Sequence, residues 1–64
     1  MNAHAMFNNF MQQKFHLTIS DIFSMRVAVF DGDVVAIHRM HRYIDAFKEI
    51  HGEQLASKVS EIIK

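Results

Sequence analysis

Asp31-Gly32-Asp33 is the feature that most constrains this chain of 64 residues. Glycine can take the left-handed backbone that ends one helix, and an aspartate directly after it can accept the first free amides of the next. The triplet therefore predicts a helical hairpin running from Ile19 to Ile50. Beyond the turn, an advance of about 100° per residue places Ala36, Ile37, Met40, Tyr43, Ile44, Phe47 and Ile50 on one stripe. His38, His41, Arg42, Asp45, Lys48, Glu49 and His51 fall on the other side. That division describes an amphipathic helix.

Before the turn, Ile19 to Phe30 is the most apolar segment. Thr18, with Asp21 three residues on, is a capping-box start, with Asp where Glu or Gln is usual. Ile19, Ile22, Phe23, Val29 and Phe30 form one face, widened by Met25 and Val27. The arc exceeds the roughly 100° stripe of an ordinary surface helix. Ile22, Val27 and Val29 are β-branched and locally favour strand, but the cap, the glycine stop and the length decide for helix. Arg26 falls inside the arc. Either its stem packs while its head reaches a carboxylate or solvent, or it anchors a subunit interface, where arginine is enriched.

Ala3 to Phe15 reads as a first helix, with Met6, Phe7, Phe10, Met11 and Phe15 on a broad face and His16-Leu17 as the connection. At the other end Gly52 leaves two readings. As a stop it frees Glu53 to Ile63 for a fourth helix, yet Leu55, Val59 and Ile62 continue the preceding stripe almost in register. A glycine inside a helix costs only about 1 kcal/mol; the balance tips to a break or kink. The predicted fold is a single all-α domain of three or four helices built on the hairpin. Its expected core draws on Phe10, Ile22, Val29, Ile37, Met40, Ile44 and Phe47.

A domain this short buries only about 60% of its unfolded surface and needs help from disulfides, a metal, oligomerisation or very regular packing. There is no cysteine, which removes disulfides and thiolate zinc sites. Half the residues are hydrophobic, with six Phe and five Met, so disorder is not expected. No apolar run approaches the roughly 20 residues of a membrane helix, and the first residues do not resemble a signal peptide. The expected location is the cytoplasm. Seven basic residues balance seven acidic ones, leaving no overall positive field for nucleic acid.

His38, His41 and Asp45 could meet on a helix face, but their spacing matches no established metal motif. His38-Arg39-Met40-His41-Arg42 is the only basic cluster. At the start of a recognition helix, His38, Arg39 and Arg42 would contact bases or phosphates. Against that, Asp45 and Glu49 share the Arg42 face, and a surface of internal ion pairs is the simpler reading. Asp31 and Asp33 lack the further ligands of a calcium loop. No nucleophile is fixed beside a base, and so short a chain struggles to form a pocket of the 300 Å³ class. Neither an enzyme nor a cofactor is expected.

The layout Phe7…Phe15-His16-Leu17-Thr18-Ile19-Ser20-Asp21, followed by Ala28-Val29-Phe30-Asp31-Gly32-Asp33, resembles the short all-helical proteins of the exo–xis region of lambdoid phages. The resemblance covers essentially the whole chain in length and helix order. It implies an all-helical dimer made early in phage development in the host cytoplasm, acting on host growth or on the lysis–lysogeny choice. It implies no catalytic or binding residues.

The surplus of apolar surface independently predicts a homodimer. Phe7, Met11, Phe23, Val27 and Phe30 are the expected interface, with Arg26 at its edge. The expected function is regulatory and non-enzymatic, exercised on a host protein. A DNA-binding dimer that uses Arg39, Arg42 and His38 is the alternative.

Overall fold

Of the four helices among the described residues, three begin on a side chain suited to hold them. The computed structural model describes residues 2–61 and orders them as α1 (Ala3–Phe15), α2 (Ile19–Phe30), α3 (Val34–His51) and α4 (Glu53–Ser60). Asn2 accepts from the Ala5 amide at 2.8 Å. Thr18 and Asp21 close the full capping box, each side chain accepting the other's backbone N–H at 3.0 Å. Asp33 accepts from Val35 and Ala36. These bonds satisfy amides that have no partner inside their own helix. No strand occurs among the described residues.

The two glycines stop helices in different ways. Gly32 has φ 86°, and its N–H donates to the Val29 carbonyl while the Asp33 N–H donates to that of Ala28. This pair of bonds is the Schellman closure of α2. Gly52 has φ 96° and ψ 164°, a region only glycine occupies readily. It separates α3 from α4, so the stripe is broken rather than continuous. α4 is described as Glu53–Ser60, and the expected extension through Ile62 and Ile63 lies outside the described residues.

α3 packs against α2 and α4, and α1 closes over all three. At the centre Phe7, Met11 and Phe47 are fully buried. Phe47 meets Phe7 and Phe10 edge-on, with ring centroids 5.3 and 5.4 Å apart. Edge-to-face contacts suit the positive rim and negative face of aromatic rings. Ala56 and Val59 bring α4 onto the same cluster. Phe10, Ile22, Met40, Ile44 and Phe47 are buried as expected, whereas Val29 and Ile37 are half-buried. Ile50 departs from its stripe and is exposed, because the chain turns at Gly52 before another element can cover it.

Candidate functional site

The burial pattern splits α2 lengthwise. Ile22 and Met25 face the core, leaving Ile19, Phe23, Val27 and Phe30 outside. Spacings of four, four and three residues keep those side chains in one row, about 16 Å long at the helical rise. Phe23 is 67% exposed and Phe30 91% exposed. Across the turn, Val34 and Val35 are also exposed and extend the apolar surface onto the start of α3. Isolated surface hydrophobics are ordinary, but a contiguous ridge marks an interaction surface.

The two charged residues of α2 are both engaged within the chain. Asp21 holds the Thr18 amide, which keeps its carboxyl below the usual range. Arg26 is half-buried and donates from Nη2 to the Asn8 carboxamide of α1 at 2.8 Å. Burial lowers its pKa. The Asn8 bond ties α2 to α1 from a position close to that of Ile19 round the helix, beside the outward row.

Phe7 and Met11 are the expected interface residues that need correction. Both are fully buried within the single chain, in the core cluster shared with α3 and α4, so they are not available to a partner. Phe23, Val27 and Phe30 are the expected interface residues that stay outside. Ile19 and Val34 join them. Their sequence signal is the row that remains on α2 after the positions of Ile22 and Met25 are removed.

The basic residues of α3 occupy a different setting. Arg39 donates from Nη2 to the Tyr43 hydroxyl at 3.2 Å, and its guanidinium lies 5.9 Å from the Tyr43 ring centroid. The hydrogen bond raises the Arg39 pKa, with a weaker contribution from Asp21. The Phe15 ring packs against Tyr43 in a tilted contact, with centroids 4.8 Å apart. Arg39 and Arg42 thus border a depression with Phe15 and Tyr43. His38 is exposed and does not line it. Phe15 and Tyr43 were readable only as members of apolar stripes.

Asp45 lies with His41 and Lys48 in the separate α3–α4 groove. Among the described residues, no three His, Asp or Glu side chains converge as a metal site. The surface does form depressions above the 300 Å³ class, of about 470 Å³ between α2 and α3 and about 340 Å³ beside Tyr43. Shallow grooves between short helices reach that size where an enclosed pocket would not. No described helix is long and apolar enough to cross a membrane. Comparisons with protein-family models, curated proteins and solved structures gave no match.

Proposed function

We propose that this chain is a non-enzymatic regulatory protein that pairs with a second copy through α2 and, as a helical dimer, engages a host protein. The outward row of Ile19, Phe23, Val27 and Phe30 carries this reading. An antiparallel pairing would set Ile19 opposite the partner's Phe30 and Phe23 opposite the partner's Val27. Each contact then matches an aromatic ring with a branched aliphatic side chain, and the row complements itself about a twofold axis. Closed twofold pairing is the commonest homo-oligomeric symmetry.

Charge supports the same occupant, since the row itself carries no charged residue and the Arg26 head beside it is drawn toward Asn8 of α1. A standard interface takes about 800 Å² per partner, a little under a fifth of the 4488 Å² surface. The row together with Val34 offers a strip across one side of the molecule. The resemblance to phage early-region proteins implies the bacterial cytoplasm as the location. It also makes a host protein the natural target.

Duplex DNA is less well supported. The start of α3 presents Val34 and Val35 beside Asp31 and Asp33, an apolar and acidic tip that phosphates would disfavour. Concentration-dependent thermal unfolding tests the dimer, because binding between folded copies raises Tm with concentration. Wild type should show that rise and F23D should lose it. A concentration-independent wild-type Tm would remove the pairing. Pull-down from bacterial lysate, comparing wild type with F23D, then tests whether the host partner needs the dimer.

A further inference from the structure

The depression on the far side of α1's C-terminal turn combines features that a solvated ion-pair surface would not need. Phe15 is only partly covered, and its ring rests against Phe10 of the core at 5.8 Å as well as against Tyr43. The aromatic floor is therefore held from beneath. Arg39 is oriented by its bond to Tyr43 and its place beside that ring. One N–H used in this way leaves the rest of a five-donor fork free.

Arg42 follows after three residues, on the same wall. The acidic neighbour that weighs on Arg39 is Asp21, the weakest of its influences, and that carboxylate already holds the Thr18 amide. Asp45, which sequence spacing sets near Arg42, lines the other groove. Glu49 stands about two turns beyond Arg42 along α3, about 10 Å by the helical rise.

From this arrangement we infer that Phe15, Arg39, Arg42 and Tyr43 form a site for a phosphate carried beside a planar base, the chemistry shared by a free nucleotide and a single nucleic-acid strand. Guanidinium forks match phosphate oxygens bidentately. A part-exposed ring offers a stacking platform that accepts any base. The depression, about 340 Å³, lies within the size range of small-ligand clefts. It is separate from the α2 row, so the inference goes beyond the proposed pairing and can fail without it. With no net charge on the chain, long-range attraction adds little, and binding is expected at low salt.

The test is fluorescence anisotropy with a short fluorescein-labelled oligothymidylate at low and physiological salt. The unlabelled oligomer, thymidine monophosphate, inorganic phosphate and a duplex of the same length serve as competitors. Wild type should bind the oligomer, and R42Q should weaken it while making the log–log salt slope shallower by about 0.7, the value for one lost phosphate contact on a single strand. F15L should weaken it about tenfold, in line with one lost base stack. Circular dichroism checks that both variants keep their helices, and exposed Arg42 keeps the test decisive if F15L is unstable. Competition by the nucleotide at matched phosphate concentration identifies a mononucleotide ligand; competition by oligomer alone identifies a strand. Absence of oligomer binding at low salt would overturn the site, as would indifference to both variants. Inorganic phosphate matching the nucleotide, or a preference for duplex, would also overturn it.

Discussion

α2 and the α1–α3–α4 cluster treat apolar residues in opposite ways. In the cluster, Phe7, Phe10, Met11, Phe47 and Val59 are buried against one another. α2 contains eight apolar residues, Ile19, Ile22, Phe23, Met25, Val27, Ala28, Val29 and Phe30. Four of these, Ile19, Phe23, Val27 and Phe30, remain exposed. Hydrophobicity alone does not decide burial. What decides it is whether another helix lies opposite, and α2 has neighbours on only part of its circumference.

The sharpest way to break this comparison is a matched pair of truncations. F47A removes a ring that touches Phe7, Phe10 and His51 and should cost about 3–5 kcal/mol, enough to unfold a marginal domain. F30A removes a ring that is 91% exposed and should change the stability of the single subunit by less than about 0.5 kcal/mol. Urea denaturation of F47A, and of F30A in an F23D background, reads both effects. Comparable losses would mean that Phe30 belongs to the core.

Gly52 gives the next largest effect, because it is what turns α4 back onto the cluster. A Cβ at Gly52 would meet nothing within 4 Å, so G52A acts through backbone strain rather than a clash. At φ 96° and ψ 164° the expected loss is about 1–3 kcal/mol, measured by urea denaturation. Unchanged stability with increased helical signal would show instead that α3 and α4 had straightened into one helix.

The α2 cap sharpens the comparison from the other side, since it holds the helix without burying any apolar surface. T18A should cost about 1 kcal/mol by the same measurement. The Asp21 carboxyl is held below its usual range chiefly by the Thr18 amide it accepts from. Its contribution is therefore present above the unfolded pKa of about 3.9 and is lost as pH falls through the lower folded value. Stability should fall with pH across that acid window, and D21N should make the fall shallower. An identical pH profile in wild type and D21N would contradict the assignment.

The helices, the caps at Thr18 and Asp33 and the Gly32 stop were legible because each depends on residues close in sequence. Thr18 with Asp21, and Gly32 with Asp33, act within a few positions. The Asn2 cap, by contrast, was missed, and Gly52 left a stop and a continuous helix almost level. The division of α2 was only half legible. Periodicity revealed an arc too wide for one neighbour, but which part turns inward depends on the helices it meets.

For the same reason Phe7 and Met11 could be mistaken for interface residues, since they share a core cluster with α3 and α4 residues far along the chain. The meeting of Phe15 with Tyr43 joins residues on separate helices, and neither local pattern announces it. Arg26 shows the limit most plainly. Its place in the apolar arc was visible, but its Asn8 partner is 18 residues away.

The proposed pairing through α2 is tested most directly by sedimentation equilibrium of wild type and F23D at low micromolar concentration. Wild type should sediment at twice the mass of the 7.5 kDa chain. F23D should sediment as a monomer that retains its helical circular dichroism, because Phe23 is exposed in the single subunit. A folded wild-type monomer, or an F23D dimer as tight as wild type, would contradict pairing through this row.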